Sequence, residues 1–368
     1  MDRLKNLYSV HGQSPWLDNL KRSYLTDGTL RDLVAGGVRG LTSNPTIFQK
    51  AIHGSADYDE QQTALVASGA SVIDQYWAMV VADITGALDE FASLYDESDG
   101  GDGYVSVEVA PGLARDSEGT EAAARELHLE IARPNLMVKI PGTAEGLPAI
   151  RRMIAEGRNI NVTLIFSLAR YQSVMDAYVD GLEEYVSTAG ADLAHVASVA
   201  SFFISRVDSE VDARLTAIAT PEALELIGKA AIAQAKLAYQ AFRRTFSGSR
   251  WEALAAAGAV VQRPLWASTS TKNPSFPDTL YVDQLIGPDT VNTLPDATIE
   301  AFADHGTLAR TIDEDVAHAE LTWRRLAEVG VDMDDVADKL ERDGVASFQK
   351  SFEELLAALA ANADKLRS

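Results

Sequence analysis

Hydrophobic and polar positions along the chain follow two alternating patterns. Short runs rich in β-branched and apolar residues, most with Gly, Pro, Asn or Asp near their edges, are typical of strands. Longer stretches have apolar residues at helical spacing, as in Thr120–Ala132, Leu168–Tyr185 and Pro221–Phe246. The eight runs predicted as strands are Ser14–Asn19, Gly40–Pro45, Tyr104–Val109, Leu136–Pro141, Ile160–Phe166, Val196–Phe203, Arg263–Thr269 and Val291–Pro295.

This alternation of strand and helix predicts a parallel sheet with helices outside it, and eight such units favour closure into a (β/α)8 TIM barrel. A doubly wound open sheet is the alternative, which is weakened because the G-x-G-x-x-G and P-loop patterns are missing. From about residue 307 to 368 the pattern predicts further helices. We find no linker, so we expect residues 1–368 to form one barrel domain with that helical extension.

The acidic, glycine-rich segment Asp96–Gly103 precedes the third predicted strand. Its composition favours a solvated connection over a calcium site, because the spacing of an EF-hand loop is missing.

Polar side chains recur at alternate positions of five predicted strands. A barrel strand faces helices on one side and the barrel interior on the other, and both environments are largely apolar. In the fifth strand the pattern places Val162, Leu164 and Phe166 together on the outer face. The residues predicted to face the interior are Trp16 and Asp18, Thr42 and Asn44, Ser106 and Glu108, Lys139, and Asn161 and Thr163.

A purely structural interpretation is that Lys139 and Glu108 form a buried ion pair while the Asn and Thr side chains satisfy one another. For a single strand this is the simpler interpretation. Five strands together favour an active site, because barrel enzymes collect their catalytic residues at the C-terminal ends of the strands. Four of the polar residues lie near such ends: Asp18, Asn44, Glu108 and Lys139.

A lysine in an apolar strand loses solvation, which favours the neutral, nucleophilic amine. The Lys139 amine could attack a ketone and form a Schiff base, which acts as an electron sink and needs neither metal nor cofactor. Glu108 and Asp18 could carry the proton transfers, and Thr163 could position a water molecule. Metal catalysis is less well supported, because the six histidines are scattered and no H-E-x-x-H motif occurs.

Substrate-binding candidates accompany these groups. The amides of Asn44 and Asn161 offer donors and acceptors that suit a polyhydroxylated sugar. After the sixth strand, the segment SFFISR (Ser201–Arg206) combines two hydroxyls with an arginine that could bind a phosphate through two hydrogen bonds. The alternative is a surface arginine that begins the next helix. The segment STSTKN (Ser268–Asn273) repeats the combination of hydroxyls and a cation after the seventh strand, where barrel phosphate sites often lie.

Composition narrows the class of protein. The chain has 368 residues, a net charge of −22 and no cysteine, which excludes disulfides and thiolate chemistry. So acidic a chain is expected to avoid nucleic acid and anionic membranes. No targeting segment is visible and no apolar run is long enough to span a membrane, so we expect a cytoplasmic protein. The oligomeric state is left open between monomer and homodimer.

The strings PWLDN, LTSNPTIF, VSVEV, MVKIPGT, NINVTLIFS, SFFISRVD and RPLWASTSTKNP follow one another on successive predicted strands, and together they resemble the transaldolases. The resemblance covers most of the chain. It implies an enzyme of the pentose phosphate pathway that transfers a dihydroxyacetone unit between phosphorylated sugars. The implied donors are fructose 6-phosphate and sedoheptulose 7-phosphate, and the implied acceptors are glyceraldehyde 3-phosphate and erythrose 4-phosphate.

The resemblance also implies residue roles. It assigns the Schiff base to Lys139, acid–base catalysis to Glu108 and water binding to Thr163. It assigns to Asp18 the transfer of the donor's hydroxyl proton during carbon–carbon cleavage. The implied substrate contacts are Asn44 and Asn161 for the sugar, Ser201 and Arg206 for the phosphate, and the aromatic Phe203 between that pair.

Two positions bear on the exact activity. Related aldolases that release free dihydroxyacetone tend to have Tyr where this chain has Phe203, so Phe203 favours transfer. Many transaldolases have a second phosphate-binding arginine after the seventh strand, whereas here Lys272 is the candidate replacement. The alternatives are a Schiff-base aldolase without transfer activity and a non-catalytic barrel that binds sugar phosphates.

Overall fold

Eight parallel strands close into a barrel in the computed structural model, which describes residues 2–367. Each strand pairs with the next along the chain, and the eighth returns to pair with the first. This confirms the predicted (β/α)8 barrel and excludes an open sheet. The strands are β1 (Gln13–Leu17), β2 (Gly40–Thr42), β3 (Tyr104–Glu108), β4 (Leu136–Pro141), β5 (Ile160–Ile165), β6 (Ser198–Phe203), β7 (Arg263–Ala267) and β8 (Thr290–Leu294).

The predicted strands differ from these mainly at their C-terminal ends, where several predictions ran on into the following loop. The prediction extends furthest beyond the observed strand at β2. There the Asn44 side chain accepts a hydrogen bond from the Ile47 amide at 3.0 Å and begins a helix. Asp18 likewise follows β1, and its amide donates to the Leu294 carbonyl at 2.8 Å. Asp18 and Asn44 therefore lie in loops above the barrel, whereas Glu108 and Lys139 lie within β3 and β4.

The part of the chain that the structure describes contains seventeen α-helices, together with 3-10 helices at Ala56–Tyr58, Pro111–Leu113 and Leu193–His195. The α-helices are α1 (Arg3–Ser9), α2 (Arg22–Thr26), α3 (Thr29–Gly36), α4 (Pro45–Ile52), α5 (Asp59–Ala67), α6 (Val72–Glu97), α7 (Ser117–Ile131), α8 (Gly146–Ala155), α9 (Leu168–Tyr185), α10 (Ser205–Ile218), α11 (Pro221–Leu224), α12 (Ala230–Thr245), α13 (Ser249–Ala256), α14 (Leu280–Asp283), α15 (Asp296–His305), α16 (Val316–Glu328) and α17 (Met333–Arg367).

The single helix predicted over Pro221–Phe246 is wrong, because the structure divides it into α11 and α12. Gly228 lies between them with a φ of +73°, which favours glycine. A β-carbon at this position would come within 2.6 Å of the Phe276 ring, so the close approach of that ring also requires glycine.

The N-terminal end of the barrel is filled by Trp16, whose ring lies so close to Gly40 that a β-carbon there would be 2.5 Å away. The Trp16 indole donates to the carboxylate of Asp102, which is fully buried and also forms ion pairs with Arg39 at 2.6 Å and Arg263 at 3.1 Å. The solvated connection predicted for Asp96–Gly103 is therefore wrong at this point. A buried carboxylate requires such partners, and here they come from distant parts of the chain.

The long helix α17 crosses the C-terminal end of the barrel, where it packs on α4, α5, α6, α10 and β5. The Ser351 hydroxyl hydrogen-bonds to Thr46 of α4 at 2.9 Å, and Gly344 approaches the Leu164 side chain of β5. The helices predicted after residue 307 are thus α16 and α17, while Ser368 lies outside the described residues. Among residues 2–367, no helix combines the length and apolarity that crossing a bilayer requires.

Candidate active site

A cavity of about 380 Å³ opens at the C-terminal end of the barrel, beneath α17. Eight of the ten residues predicted for the site line it: Asp18, Asn44, Lys139, Thr163, Ser201, Phe203, Arg206 and Lys272. Glu108 and Asn161 do not line the cavity but are buried behind residues that do. The fold therefore brings all ten together, from the strands and loops of more than half of the barrel.

Lys139 and Glu108 lie opposite each other on neighbouring strands, and both side chains are almost fully buried. The Lys139 Nζ lies 3.3 Å from a Glu108 oxygen and donates a hydrogen bond to the Ser43 carbonyl at 2.9 Å. Burial raises the pKa of Glu108, and the charge of Lys139 opposes that rise. This leaves a carboxyl group suited to proton transfer within reach of a buried amine.

Thr163 lies where β5 departs from regular geometry. The pairing of β5 with β6 shifts register between Val162 and Ile165, and Leu164 has a φ of +60°, which is unusual for leucine. The predicted common outer face of Val162, Leu164 and Phe166 is therefore wrong: Leu164 approaches Gly344 of α17. The Thr163 Oγ1 is buried and has no hydrogen-bond partner within the protein, so it is free to bind a small polar group.

Asp18 lies in the cavity wall beside β2. It accepts a hydrogen bond from the Thr42 hydroxyl at 2.9 Å, and Thr42 in turn contacts the Thr293 hydroxyl at 2.7 Å. Burial raises the pKa of Asp18, and the nearby charge of Lys139 opposes this. A second carboxyl group thus lies near the amine, and unlike Glu108 it lines the cavity.

The two asparagines have unequal freedom. Asn161 is fully buried, donating to the Ser106 hydroxyl at 3.0 Å and accepting from the Ser201 hydroxyl at 2.8 Å. The side-chain oxygen of Asn44 caps α4, and Asn44 also lines the cavity. The Asn44 amide is therefore the group available to a ligand, and Asn161 holds Ser201 in place.

The cavity contains a cluster of cations. Arg206, Lys272 and Lys50 line it together with the hydroxyls of Ser268 and Ser270. Burial is the main cause that lowers the pKa of Arg206, and burial together with the charge of Arg206 lowers that of Lys272. The Lys272 Nζ donates to the Ser270 hydroxyl at 2.6 Å. Such a group of donors and positive charge suits a phosphate.

The sequence reasoning missed several residues that line this cavity. Thr46 and Lys50 lie in the first and last turns of α4, and their place shortly after the predicted second strand was the only available signal. Asp296 is held by Asn19 at 2.6 Å and by the Tyr24 hydroxyl at 2.7 Å. Ser347 and Phe348 come from α17, and nothing local in that amphipathic pattern distinguishes them from helix-packing residues.

Over the described range 2–367, no group of three or more His, Asp or Glu side chains is arranged to hold a metal ion.

The sequence is also similar to those of known proteins. Residues 15–359 match the family model of transaldolase/fructose-6-phosphate aldolase. A transaldolase of Frankia alni is 52% identical over 354 residues, which cover 96% of this chain and 95% of that protein. Transaldolases of Acidothermus cellulolyticus (50% identical, covering 98% and 96%) and Mycolicibacterium smegmatis (50%, covering 95% and 95%) are similarly related. The chain therefore belongs to the transaldolase/fructose-6-phosphate aldolase family.

Proposed function

We propose that this chain is a transaldolase that transfers a dihydroxyacetone unit between sugar phosphates through a Schiff base on Lys139. The observation that carries the proposal is the pairing of a buried amine with a carboxyl group 3.3 Å away, beside a cavity that also contains three cations. The curated relatives named transaldolase match over nearly their whole length, which supports the same activity here.

In the proposed reaction the Lys139 amine attacks the ketone of fructose 6-phosphate, and loss of water gives an iminium ion. Glu108, with a water bound by Thr163, supplies and removes the protons of this step. Asp18 then takes the C4 hydroxyl proton, the C3–C4 bond breaks, and its electron pair moves into the iminium. Glyceraldehyde 3-phosphate leaves, and the enamine of dihydroxyacetone stays on Lys139.

The second half runs the sequence in reverse with a new partner. The enamine carbon attacks the aldehyde of erythrose 4-phosphate, Asp18 returns the proton, and hydrolysis of the iminium releases sedoheptulose 7-phosphate. Arg206, Lys272 and Lys50 supply the positive charge for the phosphate of each substrate. Transfer requires that the enamine be protected from water between the two halves, which a cavity covered by α17 favours.

Borohydride reduction tests the covalent step. With fructose 6-phosphate, the wild-type protein should acquire a three-carbon adduct on Lys139, because reduction converts the iminium into a stable secondary amine. Lys139→Arg should lose the adduct and turnover while retaining its circular dichroism spectrum. The matched control is Lys236→Arg, another buried lysine, whose Nζ donates to the Glu314 carbonyl at 2.8 Å outside this cavity. An adduct that persists in Lys139→Arg would refute the assignment.

The acceptor decides between transfer and cleavage. We expect fructose 6-phosphate alone to release at most about one equivalent of glyceraldehyde 3-phosphate per active site, with continued release only when erythrose 4-phosphate is present. Steady production of free dihydroxyacetone without an acceptor would instead identify the aldolase activity in the family's name.

A further inference from the structure

We propose that Phe348 of α17 is a positioning residue for Arg206: the ring of Phe348 and that of Phe203 hold the guanidinium between them and so orient it toward the substrate phosphate. The inference rests on the proposed function in that it deepens the role of the phosphate end of the same cavity. It adds the last helix of the chain to the working parts of the site.

The first observation is that two aromatic rings lie near the Arg206 guanidinium. Its guanidinium carbon lies 4.9 Å from the centre of the Phe203 ring and 5.8 Å from that of Phe348. Over residues 2–367, no hydrogen bond or ion pair engages this guanidinium. Aromatic faces can orient an arginine through cation–π attraction without using its N–H groups. All five donors are therefore left for a ligand.

The second observation is that both rings near the guanidinium are themselves packed. Phe203 lies 5.0 Å from Phe166, measured between ring centres, and Phe348 is only 3% exposed. Phe348 also lines the cavity, together with Lys139 and Arg206. The ring thus contacts the cation from the side of α17 and shields the same space from solvent.

The third observation is the close approach of α17 at this point. One turn before Phe348, a β-carbon at Gly344 would lie 2.9 Å from the Leu164 Cδ2 and 3.6 Å from an Arg206 nitrogen. One turn after it, Ser351 hydrogen-bonds to Thr46 at 2.9 Å. These contacts fix the height of α17 above the barrel, and with it the distance of Phe348 from Arg206.

The test compares Phe348→Leu with Phe352→Leu. Phe352 lies one turn later on α17, is 8% exposed and packs edge-on against Tyr76 at 5.0 Å, away from the cavity. Phe348→Leu should raise the Kd for inorganic phosphate and the KM for fructose 6-phosphate roughly tenfold, the scale of a lost cation–π contact. Phe352→Leu should leave both within about twofold, and Phe348→Tyr, which keeps the ring, should restore them.

A phosphate-free probe separates positioning from general damage. Borohydride trapping of dihydroxyacetone on Lys139 should change far less than phosphate binding in Phe348→Leu, because that substrate has no phosphate for Arg206 to bind. Phe348→Met takes its place if the leucine variant does not fold. Unchanged phosphate affinity in the folded variant, or equal losses in the Phe348 and Phe352 variants together with lower unfolding temperatures, would overturn the inference. Weaker phosphate binding in a protein that forms no Schiff base would instead refute the proposed function and leave the inference standing.

Discussion

At the scale of single residues, the two carboxyl groups near Lys139 have different surroundings. Glu108 is buried behind it at 3.3 Å, on the adjacent strand, whereas Asp18 lines the cavity and is held by Thr42. Burial raises the pKa of both groups. Since only Asp18 lines the cavity where a substrate hydroxyl would lie, the two are suited to different proton transfers.

Replacement of Asp18 should separate Schiff-base formation from bond cleavage. We expect Asp18→Asn to lower kcat at least a hundredfold, because the C4 hydroxyl loses its base while Lys139 and Glu108 remain. Mass spectrometry after borohydride treatment with fructose 6-phosphate should then find the intact six-carbon donor on Lys139. A three-carbon adduct formed at the wild-type rate would show that another group performs the cleavage.

At the scale of secondary-structure elements, α10 carries Arg206 and is anchored by a buried carboxyl group two residues later. Asp208 accepts hydrogen bonds from the Ala231 amide of α12 and from the Tyr281 hydroxyl of α14, both at 2.7 Å. Burial raises the pKa of Asp208 from 3.8 to about 6. One side chain therefore joins three helices around the loop that follows β7.

The raised pKa of Asp208 predicts a specific pH dependence of stability. Between pH 3.8 and about 6 the folded protein holds a proton here that the unfolded chain has released. Stability from this group is therefore fully present below pH 3.8 and is lost as the pH rises to about 6. Asp208→Asn should reduce the loss over this interval by roughly 3 kcal/mol of unfolding free energy. Urea denaturation of both proteins at pH 4 and pH 7 measures it, and parallel losses would contradict the prediction.

Elements were predictable from sequence where local chemistry decides them. Leu136–Pro141 and Leu168–Tyr185 have the predicted bounds because their periodicity is clear and their neighbours stop the pattern. Leu164 shows the limit: a leucine gives no sign of a positive φ, since the register shift depends on strand pairing and on contact with α17. The break at Gly228 similarly depends on a ring about fifty residues later in the chain.

At the scale of the whole molecule, the two ends of the barrel differ in structure. The C-terminal end carries the cavity, and the N-terminal end is closed by Asp102 with Arg39, Arg263, Ser14 and Trp16. Asp18, Asn44, Glu108 and Lys139 were predictable as a group because strand parity and parallel topology bring them to one end, whereas Phe203 was expected only from the family resemblance. The closure by Asp102 and the covering by Phe348 were not, because both join segments far apart in sequence.

Removal of the Asp102 carboxylate should affect stability and leave catalysis intact. Asp102→Ala leaves two partly buried arginines without their ion-pair partner, so we expect the free energy of unfolding to fall by about 1–3 kcal/mol. The kcat and KM of the folded fraction should stay within twofold of wild type, since the network lies at the opposite end from Lys139. Chemical denaturation and steady-state kinetics on the same sample check both halves. Lost activity in a fully folded variant would contradict this division between the two ends.

The placement of Phe348 has a consequence for how the protein is made. Domains fold from the N-terminus as synthesis proceeds, and every barrel strand precedes residue 295, whereas the residues of α17 that line the cavity are Ser347 and Phe348. The lysine, its carboxyl partners and the arginine all leave the ribosome before the helix that covers them. A chain cut short before Ser347 by premature termination would therefore carry every residue assigned to the Schiff-base chemistry without the helix residues that line their cavity.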